Sequence, residues 1–331
     1  MVFGMVRPTR RDVLRVATFG TTAAVAGLAV PTVLKSARAD DDREQPTFVF
    51  VSGSNAPAYS PPELGLLGYR TLAVDLPGHR PSDAQFPLSY QCPQNLPAFA
   101  KAPSPMAGVK LDDYVATVVG AIRVVADYGP VILVGSSLGG ATISRVGNAI
   151  PGLISRIVYD SAFCCVDLPS IAAYFTTPEA STSLIANLAS GSVGDPAQIG
   201  ASRINWRSAD PTFLADARAV FIADASEAEF LNLMNNLQPD ETVDVPLADS
   251  QVHAATWGRI PRTYIRHSLD RLIPIALQDR MIREADALTP RNRFDVRTVE
   301  TSHVPTFAKW REIVKILAGL ARSTSRRHDD S

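Results

Sequence analysis

Apolar residues fall along this chain in short unbroken blocks, separated by stretches with helical spacing. Thr47-Phe-Val-Phe-Val51 is one block, closed by Ser52-Gly53, and Arg70-Thr-Leu-Ala-Val-Asp75 is a second, closed by the turn Leu76-Pro-Gly-His79. Pro130-Val-Ile-Leu-Val134 and Arg156-Ile-Val-Tyr159 are a third and fourth. A run without polar alternation marks a strand buried on both faces, which requires a parallel sheet with helices above and below it. The helical pattern over 111–128 supplies one cover: Tyr114, Val118, Ile122 and Val125 share a face, and Asp112-Asp113 sit at the positive end of the helix dipole. A helix over 138–149 follows the third strand.

From Cys164 to about Gly258 the strand–helix alternation stops. Short helices are predicted there over 181–189, 210–223 and 226–237. The alternation resumes with a strand at Arg262-Thr-Tyr-Ile265, a helix over 273–287, a strand over 293–299 and a closing helix over 304–321. The fold class expected is therefore α/β: a mostly parallel sheet with helices on both faces and an inserted helical lid. Its core is assigned to 40–163 and 259–321, the lid to 164–258, and a loose polar tail to 322–331. Residues 80–110, rich in Pro, Gln and Ser, read as a long loop.

The first 39 residues stand apart. Thr9-Arg10-Arg11-Asp12-Val13-Leu14 lies in a basic stretch, an Ala/Gly/Val-rich run follows to Leu34, and Ala37-Arg38-Ala39 is a small-x-small cleavage pattern. The segment resembles a twin-arginine export signal, which implies a partner in the twin-arginine export machinery and a periplasmic or extracellular destination. An uncleaved membrane anchor is the competing reading. Cleavage would remove six basic residues and one acidic one, taking the formal charge from −1 to −6. A mildly acidic chain without a basic stripe is not built for nucleic acid, and stable membrane association is not expected after cleavage. Neither a metal site nor a cofactor is expected, because the five histidines and three cysteines lack ligand spacing.

The chemistry concentrates at Gly135-Ser136-Ser137-Leu138-Gly139-Gly140, between a strand and a helix. Ser137 is the centre of a G-x-S-x-G turn, with Gly135 and Gly139 as the small flanks that a sharp strand-to-helix reversal demands. Ser136, the rival serine, lacks glycines two positions away on both sides. A serine nucleophile needs a base, and the base needs an orienting acid. His303 follows the last strand and precedes the closing helix, whereas His267 comes before any acid after its strand and His328 lies in the tail. Asp270 is the acid between the strand at 262–265 and the next helix; Asp279 lies inside that helix, and Asp160, after the fourth strand, is an unconventional alternative.

Together the segments 48–54, 69–79, 131–140, 157–163 and 263–281 resemble the α/β-hydrolase superfamily, in its branch of plant-type methylesterases, hydroxynitrile lyases and bacterial esterases. The resemblance implies a Ser137–Asp270–His303 triad and an oxyanion hole from the backbone N–H groups of Ser54 and Leu138. It also implies a small-molecule acyl substrate: an ester, lactone or thioester cleaved through an acyl-enzyme. Ser52-Gly53 stands where the family usually has His-Gly. The lyases of this branch carry a lysine after the catalytic histidine and a threonine at the oxyanion loop; here Val304 and Gly53 occupy those places. Acyl transfer, lyase or cyclase chemistry at the same site, and a catalytically dead binding protein, are the competing functions.

Three further expectations concern side chains outside the triad. Tyr174, Phe175, Trp206, Phe213, Phe221 and Phe230 are expected to fill the lid core, some of them lining an acyl pocket. Arg203 and Arg207 are candidates to meet a substrate carboxylate, against the commoner reading of solvated arginines. An oxidising destination permits a bridge from Cys92 to Cys164 or Cys165, against the alternative of three small buried hydrophobes.

Overall fold

The structure, a computed structural model, describes residues 45–329, so the export signal assigned to 1–39 lies outside the described residues. Strands β1 (Thr47–Val51), β2 (Arg70–Ala73), β3 (Val131–Ser137), β4 (Arg156–Ala162), β7 (Arg262–His267) and β8 (Asp295–Val299) form a parallel sheet in the order β2-β1-β3-β4-β7-β8. Strands β5 (Ala201–Arg203) and β6 (Asp240–Thr242) form a separate antiparallel pair.

The sheet's apolar strands divide their side chains between two cores. Phe48, Phe50, Ile132, Val134 and Val158 point to one face, where they meet Ile313, Val314 and Leu317 of the closing helix. Val49, Val51, Leu133, Ile157 and Tyr159 point to the other. There they meet α1 (Leu111–Val125), α2 (Gly139–Ala149) and the helix over Ile275–Leu288. Each fully buried Phe or Leu here contributes about 2–3 kcal/mol of transfer free energy, which explains why these strands carry no polar alternation.

Between β4 and β7 the chain carries α3 (Pro211–Phe221) and α4 (Glu227–Asn236), each capped by an acceptor side chain, Asp210 and Ser226. Helix α5 spans Ile275–Leu288 and α6 spans Phe307–Asp329. Among the described residues no helix is long and apolar enough to cross a membrane.

Several local expectations are corrected. No continuous helix forms over 181–189; two 3₁₀ turns, Pro178–Ala180 and Ile185–Gly191, stand there instead. Leu184 N–H and Ser183 Oγ donate to the carbonyls of Arg271 and Leu272, at 2.8 and 2.7 Å, so the segment between the two turns is tied to the loop after β7. The stretch 80–110 is no plain loop either: Leu88–Tyr90 and Leu96–Phe99 make helical turns that bury Tyr90 and Phe99. The closing helix starts at Phe307, beyond Pro305, because the residue before a proline is pushed out of helical geometry. It then runs to Asp329 through the segment assigned to a loose tail, since 322–329 contains no Gly or Pro and propagating an existing helix costs little.

Candidate active site

The sharp reversal at the end of β3 places Ser137 at φ +51°, in the left-handed region, with its side chain at the edge of the sheet. The glycines around it are explained by contact. A Cβ on Gly135 would lie 2.7 Å from the Ile143 side chain, one on Gly139 would lie 2.7 Å from the carbonyl oxygens of Val51 and Ser52, and one on Gly140 would lie 2.1 Å from the carbonyl of Phe163. β3 and α2 can approach their neighbours this closely only without side chains at these positions. Leu138 stands at the N-terminus of α2, where unpaired N–H groups and the helix dipole favour negative charge.

Three side chains from distant parts of the chain form one hydrogen-bonded series. His303 Nε2 lies 3.0 Å from Ser137 Oγ, and His303 Nδ1 lies 2.6 Å from Asp270 Oδ2. Asp270 occupies the turn after β7, where its Oδ1 accepts the backbone N–H groups of Leu272 and Ile273 at 2.7 and 2.8 Å. Burial opposes ionisation of Asp270, but the His303 ring, the Ser161 hydroxyl and the nearby His267 outweigh it and hold the carboxyl below its ordinary range.

Ser161 was not singled out by the sequence, yet its Oγ donates to Asp270 Oδ2 at 2.6 Å. It is the extra residue of a bulge: Ser136 pairs with Asp160 and Ser137 with Ala162, leaving Ser161 between them at φ +39°. A bulge turns one side chain out of the strand's alternation, and here it turns a hydroxyl toward the acid. Asp160, the alternative acid, pairs instead with His267, Nε2 to Oδ1 at 3.0 Å, and Asp279 pairs with Arg266. Ser136 Oγ makes a long 3.5 Å contact with Asp160 Oδ2. His328 lies near the far end of α6.

The loop carrying His303 is strapped to the segment between β4 and β7. Ser302 Oγ donates to Asp224 Oδ1 at 2.5 Å and Val304 N–H donates to the Phe221 carbonyl at 2.8 Å. Phe221, at the end of α3, has its ring 6.2 Å from the imidazole, so this lid aromatic faces the site. Trp206, Phe213 and Phe230 are buried inside the lid, and Phe175 packs on Phe163.

On the opposite side, Gly53 brings the loop after β1 against the nucleophile: a Cβ there would stand 2.8 Å from Ser137 Cβ. Ser54 follows it, and Asn55, at φ +58°, is held by the cap through Gln238 N–H to its carbonyl at 2.7 Å and through its own Nδ2 to the Gln238 carbonyl at 2.9 Å. Glu241 of β6 accepts the Asn55 N–H, a second contact for which the sequence carried no signal.

Two expectations are overturned. Arg203 does not face a ligand: its guanidinium is buried in a two-bond pair with Asp240, 2.6 Å for each bond, and also donates to the Phe99 and Ala102 carbonyls. Arg207 lies over the rings of Phe86 and Tyr90. The cysteines are free, with Cys164 and Cys165 in the core and Cys92 exposed on the loop before α1, so no bridge joins them. Among the described residues no group of three or more His, Cys, Asp or Glu side chains is placed to hold a metal ion.

Residues 48–316 match the model of the alpha/beta hydrolase family. Among solved structures, a pyrethroid hydrolase from Sphingobium faniae superposes with a TM-score of 0.64 at 20% identity, over 84% of this chain and 97% of that one. An extracellular alpha/beta-hydrolase from a Paenibacillus species superposes at 0.58 with 21% identity, over 82% and 98%. Polyneuridine aldehyde esterase superposes at 0.58 with 19% identity, over 84% and 99%. No curated protein matches the chain in sequence.

Proposed function

The chain belongs to the alpha/beta hydrolase family, and from that premise we propose that it is a serine hydrolase of carboxylic esters, acting through an acyl-enzyme on Ser137. The observation that carries this reading is the series Ser137 Oγ–His303–Asp270, at 3.0 and 2.6 Å.

In the reaction His303 Nε2 takes the Ser137 proton as Oγ adds to the substrate carbonyl. The oxyanion of the tetrahedral intermediate is met by the N–H groups of Ser54 and Leu138. Collapse breaks the bond to the alcohol, which leaves with the proton from His303. Water then adds to the acyl carbonyl while His303 takes its proton, and a second collapse releases the acid and returns that proton to Ser137. Asp270 remains ionised throughout, keeping Nδ1–H directed at itself and stabilising the imidazolium. Solved neighbours named as a pyrethroid hydrolase and an aldehyde esterase agree with ester chemistry. Val304 after the base and Gly53 against the nucleophile speak against the lyase chemistry of this branch.

The test is labelling with a fluorophosphonate together with turnover of a p-nitrophenyl ester series. Wild-type protein is expected to label and to turn over short esters, and Ser137→Ala to do neither, with kcat down by roughly 10⁴–10⁶. Labelling without turnover of any ester would turn the reading toward acyl transfer, and absence of labelling would end it.

We also propose export through the twin-arginine pathway, supported by Arg10-Arg11 ahead of an apolar run and Ala37-Arg38-Ala39. Replacing both arginines by lysine should leave uncleaved protein in the cytoplasm of a bacterial host. Unchanged export would refute it.

A further inference from the structure

Behind the triad lies a second buried Asp–His pair that the reaction above does not use. His267, the last residue of β7, is 1% exposed. Its Nε2 is 3.0 Å from Asp160 Oδ1 on β4, and its Nδ1 is 3.1 Å from the backbone carbonyl oxygen of His303. The residue is fixed along its own backbone by Gln278 of α5, which accepts His267 N–H at 3.1 Å and donates to its carbonyl at 3.0 Å. A carboxylate and a carbonyl offer only lone pairs, so both ring nitrogens must act as donors, which only the imidazolium can do.

We infer that His267 is held as an imidazolium by Asp160 and uses its second N–H to fix the His303 carbonyl, making it a positioning residue for the base of the reaction proposed above, on which this inference rests. The loop from β8 to α6 is then pinned on two sides. Asp224 and the Phe221 carbonyl hold Ser302 and Val304, which flank the base, and His267 holds the carbonyl of residue 303 itself. An imidazole that drifts by an ångström loses the alignment with Ser137 on which proton transfer depends.

The groups that face the ring agree with its charge. Asp160 meets it from β4, Asp270 stands on the turn after its own strand, and His303 approaches from the loop before α6. Gln278 from α5 is neutral, and Ser136 from β3 reaches Asp160 rather than the ring. Burial opposes the charge, but Asp160, Asp270 and the His303 carbonyl outweigh it and raise the ring's pKa. As pH rises through that raised value, one nitrogen loses its proton and turns a lone pair on either the carbonyl or the carboxylate. The hold on His303 then fails, and kcat acquires an alkaline limb.

The test uses full-length mature protein with ring-¹⁵N histidine. At about pH 7.5 the long-range ¹H–¹⁵N spectrum should contain an imidazolium pattern that Asp160→Asn converts to a neutral one, because an amide at 160 can donate to Nε2. In kinetics with a p-nitrophenyl ester, Asp160→Asn should remove the alkaline limb of kcat. His267→Gln should lower kcat about 10- to 100-fold with KM little changed, while Ser137 still labels with a fluorophosphonate. A neutral His267 in the wild-type spectrum overturns the inference, as do variant pH profiles that superpose on the wild type. Should the wild type turn over no ester, the proposed activity fails, while the spectrum still decides the protonation of His267.

Discussion

Glu241 Oε2 accepts the backbone N–H of Asn55 at 2.7 Å, so a carboxylate from the lid's small sheet holds the loop that carries Ser54 against the nucleophile. Its other oxygen receives the Tyr114 hydroxyl at 3.2 Å and lies 3.4 Å from His79 Nε2. Burial opposes the charge on Glu241, yet His79 and the two backbone N–H groups outweigh it and lower its pKa. Removing this anchor strands a buried histidine and frees the loop that carries Ser54. Glu241→Ala is expected to cost about 3–5 kcal/mol in urea unfolding and to lower kcat/KM for a p-nitrophenyl ester by at least about tenfold. Wild-type values on both measurements would show that the lid does not support the loop.

Gly53 lies so close to Ser137 that even a methyl group must displace one of them. Gly53→Ala is expected to reduce kcat by about a hundredfold, as a shift of roughly 1 Å at the reacting centre does, while leaving the unfolding midpoint nearly unchanged. Steady-state kinetics beside a thermal melt distinguish this from a general loss of folding; full activity would mean that the loop has room to retreat.

Stability should peak in weakly acidic buffer. Asp270 and Glu241 have lowered pKa values, so their contribution is present above the ordinary carboxyl range near 4 and is lost as pH falls through the folded values. His79 and His267 have raised values, so theirs is present in full below about 6.5 and is lost as pH rises through the folded values. Guanidinium midpoints across the pH range should therefore fall on both sides of a maximum between about 4.5 and 6.5. A midpoint that climbs steadily into alkaline buffer would contradict charged rings in the fold.

The three thiols should divide by accessibility. Burial pushes the Cys165 thiol up to about 12 and that of Cys164 higher still, with both side chains in the core, while Cys92 is exposed. Because the thiolate is the reacting species, native protein should release one equivalent with a disulfide reagent and unfolded protein three. Fewer than three equivalents after unfolding without reductant would restore the bridge that the structure replaces with free thiols.

The features legible in the residues are local or ordered along the chain. The strand blocks were legible because burial on both faces forbids polar alternation, as Phe48, Val49, Phe50 and Val51 show. The reversal at Ser137 was legible because its steric demand falls on neighbours two positions away. The order of serine, acid and base followed the order of strands, so Asp270 and His303 could be named before any distance was known.

Which side chains meet depends on how the elements pack. Asp160 lies within β4 and Asp270 on the turn after β7, and only the register of β4 against β7 gives one carboxylate to His267 and the other to His303. Ser161 reaches Asp270 because a bulge, invisible in composition, turns it out of the strand alternation. Strands of three residues, β5 and β6, are too short to have a readable period, so the lid's sheet and Glu241 stayed hidden among expected helices. Periodicity reports which face of an element is dry, whereas a hydrogen bond between residues 186 positions apart, like Asn55 to Glu241, depends on how whole elements pack.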